Sequence, residues 1–226
     1  MNKAVVFWSG GKDSAMALYK ARQIFGLEIV GLVCTLNKNS GATSVHGIPE
    51  RVLDRQTKQT GLPLLKMWVQ EMPSNQEYEA ALLQVYAQLK SDGISTVIYG
   101  DIFLEDIKTY RKNLISKAGL TAVFPLWKVK TTKLMQEFIS LGFKAIVCTI
   151  DTARLNKSYL SRAIDQRFLD ELPKGFDPAG ENGEFHTFCF DGPIFSNAVM
   201  FDTGLKVLNN THIKQFSDNY EYLEIF

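Results

Sequence analysis

A surplus of charge of either sign is missing from this sequence. Its 226 residues carry 25 basic and 24 acidic side chains, a formal net charge of +1. No global field recruits a polyanion, so a nucleic-acid partner is disfavoured. Paired cysteine is missing too. Cys34, Cys148 and Cys189 stand far apart, form no C-x-x-C and leave an odd count. That excludes the zinc and dithiol signatures and argues against a secreted disulfide framework. They read as buried thiols that pack as small hydrophobes. No apolar run approaches the length of a membrane span, and no charged leader with a cleavage site precedes the first strand. A soluble cytoplasmic protein is the expectation. There is neither an internal repeat nor a low-complexity tract.

What is present is an ordinary globular composition, 46% hydrophobic and 22% charged, with enough apolar surface to bury a core. Ala4 to Trp8 is a short apolar run of the kind buried on both faces inside a parallel sheet. A glycine-rich turn and a helix follow, with Ala17, Leu18, Ala21, Ile24 and Phe25 on one face. Further strands are read at Glu28 to Leu36, Leu64 to Val69 and Thr96 to Tyr99. Helices are read from Pro49 to Gly61, from Asn75 to Asp92 and from Leu104 to Ala118. This alternation predicts an α/β fold, a doubly wound parallel sheet over residues 1–125. Phe124-Pro125-Leu126-Trp127 breaks the rhythm. Residues 126–226 read as a smaller α+β domain, with a helix through Leu134, Phe138 and Leu141 and a strand from Lys144 to Ile150. Asp202-Thr203-Gly204 reads there as a turn between two short strands. The apolar stretch Tyr222 to Phe226 reads as packing on its own domain or on a second copy in a homo-oligomer.

The densest signal is Ser9-Gly10-Gly11-Lys12-Asp13-Ser14, between strand one and helix one. Ligands bind at the carboxyl ends of such strands. The start of a helix offers unpaired N–H groups and a positive dipole end. Adjacent glycines let the backbone curl around an anion. Lys12 adds a mobile charge and Ser14 a hydroxyl. Asp13 either caps the helix or holds a magnesium ion. The pattern is neither G-x-G-x-x-G nor G-x-x-x-x-G-K-[ST]. Its five fixed letters arise by chance in a chain of this length with probability on the order of 10⁻⁴ to 10⁻³.

Two further clusters carry chemistry-bearing residues. Gly100 to Asp106 follows strand four and holds Asp101, Glu105 and Asp106. These acids suit magnesium, ribose hydroxyls or an amine, or simply favour a helix N-terminus. Arg111, two turns on, is a phosphate or carboxylate partner or an exposed charge. Gly180 to Thr187 holds Glu181, Asn182, Glu184, Phe185 and His186. It serves a substrate, or it is a glycine turn entering a strand with His186 hydrogen-bonded near the core. Geometry has to assign any acid or base there.

The loop from Ser9 to Ser14 resembles the pyrophosphate loop of the ATP-pyrophosphatase superfamily, in the adenine nucleotide alpha hydrolase-like fold. Further pieces in order make the chain similar to the diphthine–ammonia ligase family. They are His46-Gly47-Ile48, Gly61 to Leu64, Gly100 to Asp106 with Tyr110-Arg111, Pro125-Leu126-Trp127, Gly180 to Thr187 and Asp191 to Phe195. The resemblance implies that ATP and Mg2+ bind at Ser9, Gly10, Gly11, Lys12, Asp13, Ser14, Gly100 and Asp101, with Asp13 and Asp101 near the metal. It implies catalytic roles for Lys12, Asp13, Asp101, Glu184 and His186. The substrate side would comprise Glu105, Arg111, Trp127, Glu181, Asn182, Glu184 and Phe185. The implied reaction joins ammonia to a carboxylate, diphthine on elongation factor 2, and releases AMP and pyrophosphate. The trimethylammonium group of diphthine suits Glu181, Glu184, Phe185 and the Trp127 face. Ala179 stands where related bacterial sequences often carry cysteine, so this chemistry needs no thiol. Other readings are an adenine-nucleotide hydrolase, or a ligase acting on another small-molecule, protein or nucleoside acceptor. A non-catalytic ATP-binding module is a further one. Modules of that kind carry their phosphate loop after strand four, whereas here it follows strand one.

Overall fold

The computed structural model describes residues 1–208 and 219–226, residues 205–208 by their backbone alone. The described residues form two sheets. The first is parallel, in the order β3-β2-β1-β4-β5, from β1 (Asn2–Phe7), β2 (Leu27–Asn37), β3 (Leu64–Val69), β4 (Thr96–Ile98) and β5 (Thr121–Val123). Alternate residues of β1 enter opposite layers. Ala4, Val6 and Trp8 join a hydrophobic cluster with α1 (Lys12–Ala21) and α2 (Glu50–Thr60). Val5 joins another with α3 (Asn75–Ser91) and α4 (Glu105–Lys117). Helices on both faces explain why these strands read as continuous apolar runs. The chain order reverses between β1 and β4, and a crevice opens at such a point beyond the strand ends.

The second sheet is antiparallel, in the order β7-β6-β9-β8. Its strands are β6 (Lys144–Asp151), β7 (Phe185–Asp191), β8 (Thr203–Leu208) and β9 (Tyr220–Ile225). Phe188 and Cys189 of β7, Val147 of β6 and Phe138 of α5 (Thr131–Ser140) belong to the same cluster as α1 and α2. The antiparallel sheet therefore packs on the α1–α2 side of the parallel one. The short helix α6 (Gln166–Glu171) adds Phe168 to that core.

Local chemistry explains the element ends. Ser74 caps α3 by accepting from Glu77 N while the Glu77 carboxylate returns to Ser74 N, a reciprocal pair that satisfies orphan donors. Gly61 ends α2 in the left-handed region, φ 71°, where a side chain is strained.

Three sequence readings are corrected. Phe25 does not share the buried face of α1: the helix ends at Ala21 and Phe25 is fully exposed. Asp202-Thr203-Gly204 is not a turn, because Thr203 and Gly204 open β8. Asp202 and Phe226 exchange backbone hydrogen bonds of 2.8 and 3.0 Å, and a Cβ on Gly204 would collide with Glu224. That glycine serves a close cross-strand approach. The three-residue strand β5 was not anticipated, being too short to show a period. Tyr222, Leu223 and Ile225 are buried, Leu223 and Ile225 in the cluster that also holds α1 and α2. All three cysteines are free and buried in strands, and burial pushes the Cys34 and Cys148 thiols up to about 12. Among the described residues no helix is long and apolar enough to cross a membrane.

Candidate active site

Trp8 ends the buried run of β1, and the chain turns through Gly10 at φ 83°. A Cβ there would lie 2.6 Å from Ile48 Cδ1, so glycine is required both for conformation and for space. Gly11 is the N-cap of α1. Ser9 Oγ accepts from Gly11 N at 3.3 Å, and Ser14 Oγ donates to Gly11 O at 2.9 Å. The first N–H groups of the helix have no intrahelical partner. That of Lys12 donates to Thr187 Oγ1 at 3.0 Å. The Lys12 side chain is buried and its Nζ lies 2.8 Å from Asp13 Oδ2.

The loop after β4 meets this turn. Arg111 Nε lies 3.3 Å from Asp101 Oδ2, and the guanidinium carbon sits 4.5 Å from the Tyr99 ring centroid. Ion pair and ring together hold Arg111 at the crevice. Burial raises the Asp101 carboxyl above its usual range, against the pull of Arg111.

β7 supplies the third wall. Its register with β6 shifts at Cys148, the kind of irregularity that re-aims side chains. The His186 and His46 rings lie 4.9 Å apart. Burial lowers the proton affinity of both: His186 titrates at about 3, helped by Lys12, and His46 well below its usual value, helped by His186 and Lys12. Both rings are neutral at pH 7. His186 Nε2 is buried without a hydrogen-bond partner. Upstream of β7, Glu184 is 3% exposed. One of its oxygens accepts from Asn182 N at 3.0 Å, and the other from Asn182 Nδ2 at 3.0 Å and Asp177 N at 3.3 Å. Glu181 has no hydrogen bond to its carboxylate among the described residues. Burial first, then Asp13, raises it to about 8.

Ser9, Lys12, Asp13, Ser14, Gly100, Asp101, Arg111, His46 and the segment from Glu181 to Thr187 line one cavity of about 1420 Å³. It lies at the reversal between β1 and β4, where the fold predicts a ligand.

Comparison with known proteins decides the family. Residues 2–122 match the diphthamide synthase N-terminal domain, and residues 130–218 match the diphthamide synthase C-terminal domain. The chain belongs to the diphthamide synthase family. It is similar to a diphthine–ammonia ligase of Danio rerio, at 24% identity over 89% of this chain and 87% of that protein. A diphthine–ammonia ligase of Schizosaccharomyces pombe is 24% identical over 85% of this chain but 35% of its own length. One of Bos taurus is 31% identical over 44% of this chain and 40% of that protein. The chain thus spans most of the fish relative and well under half of the other two in these alignments.

In this diphthamide synthase fold, not every residue singled out from sequence reaches the cavity. Gly10 and Gly11 sit behind it and shape the turn. Glu105 is exposed on the first turn of α4 and does not line it. Trp127 does not line it either, and Lys108 Nζ lies 3.7 Å from its ring centroid. Phe185 is buried against Phe168, with Lys12 Nζ 5.7 Å from its own centroid. Asn182 is mostly exposed and braces Glu184. Three residues at or behind the cavity carry no mark of their own in the sequence: His46 stands only within a matching segment, Thr187 only at the end of one, and Gln56 in neither. Nothing local marks Gln56, a polar residue within an amphipathic helix.

Proposed function

We propose that this protein is an ATP-dependent, AMP-forming ligase, diphthine–ammonia ligase-like, that amidates a carboxylate with ammonia. What supports it most is one cavity walled by the phosphate loop, the β4 loop and the Glu181–Thr187 segment. Its volume exceeds the roughly 300–1,000 Å³ of an ordinary ligand pocket, leaving room for a nucleotide beside an acceptor. The names of the similar proteins support the same reading.

The start of α1, with Lys12 Nζ and the Ser9 and Ser14 hydroxyls, holds the β- and γ-phosphates. Magnesium would be held by Asp13, whose Oδ1 is buried without a hydrogen-bond partner, and by Asp101, whose buried Oδ2 has only the ion pair to Arg111 at 3.3 Å. The described residues contain no group of three or more side chains able to hold a metal alone. That suits a cation bound by one or two carboxylates and completed by phosphates and water. Such an ion neutralises phosphate charge.

A carboxylate oxygen of the acceptor attacks the α-phosphorus. The bond from that phosphorus to the bridging oxygen breaks, and pyrophosphate leaves into the field of Lys12 and the helix N-terminus. Ammonia then adds to the acyl carbon, the bond to AMP breaks, and a proton is lost from nitrogen. Diphthine on elongation factor 2 is the acceptor that the relatives' names suggest. Glu181, the uncommitted carboxyl of its segment, holds a proton in the free protein because burial and Asp13 raise it, and it would give that proton up on facing the acceptor's cationic group. Glu184 holds the loop in shape, and His186 presents a neutral ring nitrogen.

The test is to incubate the protein with Mg2+, ATP labelled at the α-phosphorus, ammonium and candidate acceptors. AMP and pyrophosphate are the expected products, reduced about 100-fold or more in Lys12→Ala. ADP and phosphate, or bound but unreacted ATP with every acceptor, overturns the reading.

A further inference from the structure

Gln56 is fully buried in α2, and every hydrogen-bonding atom of its amide is used. Its Oε1 accepts from Trp8 Nε1 at 2.8 Å. Its Nε2 donates to Gly10 O at 2.8 Å and to Cys189 O at 2.6 Å. Gly10 O receives a second donor, Cys189 N, at 2.9 Å. Two residues back along β7, Thr187 Oγ1 accepts from Lys12 N at 3.0 Å. A Cβ on the intervening Gly11 would lie 3.0 Å from Thr187 O and 2.8 Å from His46 Nε2. The phosphate loop is thus fastened at Gly10 and again at Lys12 to a strand about 180 residues away in sequence, and Gln56 sits where loop, helix and strand meet.

We infer that Gln56 and Thr187 are positioning residues that fasten the phosphate loop to β7, so that the nucleotide grip and the acceptor wall form one unit. The inference rests on the proposed ligase reading for what the loop and the wall bind, and on the hydrogen bonds alone for the fastening. A buried polar network with every member satisfied holds one geometry, because each alternative strands a donor or acceptor. Sites need such support to keep their groups in productive positions. Thr187 also turns the Lys12 N–H towards β7, leaving the next N–H groups of α1 and the Lys12 ammonium for phosphate.

Thr187→Val keeps the shape but removes the acceptor oxygen, whereas Thr187→Ser keeps the oxygen. Gln56→Glu retains the contact to Trp8 and loses both donors. Amide hydrogen exchange of residues 9–14, the affinity for a non-hydrolysable ATP analogue and the melting temperature are measured for each. Exchange in 9–14 is expected to quicken and affinity to fall about tenfold in Thr187→Val and Gln56→Glu, with Thr187→Ser restoring both towards the original protein. Acceleration confined to 9–14 and β7 separates a lost clamp from general destabilisation. Unchanged exchange and affinity in Thr187→Val overturns the inference, as does equal acceleration throughout the chain. These measurements do not depend on turnover. If the clamp is seen while no acceptor yields AMP, the ligase reading fails and the clamp stands.

Discussion

Gly100 and Asp13 meet backbone to backbone: a Cβ on Gly100 would lie 3.0 Å from the Asp13 carbonyl oxygen and 3.3 Å from Ser14 N. The loops after β1 and β4 are therefore in contact where Asp13 and Asp101 face the cavity. Gly100→Val must push the start of α1 away. ATP affinity is expected to fall at least tenfold, about 1.4 kcal/mol, by titration calorimetry. Undiminished affinity would place the nucleotide elsewhere.

Glu184 and Glu181 separate on substitution. Glu184→Ala leaves the N–H groups of Asp177 and Asn182 without their acceptor, a loss of about 1–3 kcal/mol for a stranded donor. Chemical denaturation reads it. Glu181→Gln is expected to keep the fold and weaken acceptor use, leaving ATP affinity in place. A stable Glu184→Ala protein would return Glu184 to direct substrate contact.

The raised Glu181 carboxyl has a consequence for stability. Between pH 4.5, its ordinary value, and about 8 the folded protein holds a proton that the unfolded chain has released. Stability from this group is present at low pH and lost as pH rises through that window. In nucleotide-free protein, the melting temperature of Glu181→Gln relative to the original is expected to climb from pH 4.5 to 8 and then level. A constant difference would show that Glu181 titrates normally.

The buried histidines act in the opposite sense. Below pH 6.5 the unfolded chain takes protons that His46 and His186 refuse, down to about pH 3 for His186. Their contribution is present above pH 6.5 and lost on acidification. His186→Gln is expected to flatten the acid side of the melting-temperature profile. An equally steep profile would mean that His186 accepts a proton in the folded state.

Much of the fold was legible because its causes are local. Pro49 and Gly61 bracket α2, and an apolar run followed by Ser9 to Ser14 marks a strand, a turn and a helix start. The loop at Asp101 was legible because a parallel sheet puts the ends of β1 and β4 on one edge. The turn read at Asp202 to Gly204 failed because pairing with β9 overrode turn-forming residues. That Trp127 stands outside the cavity lining, with Lys108 of α4 over its ring, was not legible because the two come from different elements.

The sequence by itself determined the alternating architecture, the glycine turn between β1 and α1 and the acidic strand ends, all of which depend on residue type over a few positions. Only the tertiary structure decided which carboxylates are committed and which are uncommitted. It also decided that His46 faces His186, and that Gln56 and Thr187 fasten the phosphate loop to β7. Those relationships are hydrogen bonds and ring contacts between residues 46 to 175 positions apart, and burial sets their strength. Neither partner carries a local mark of the other.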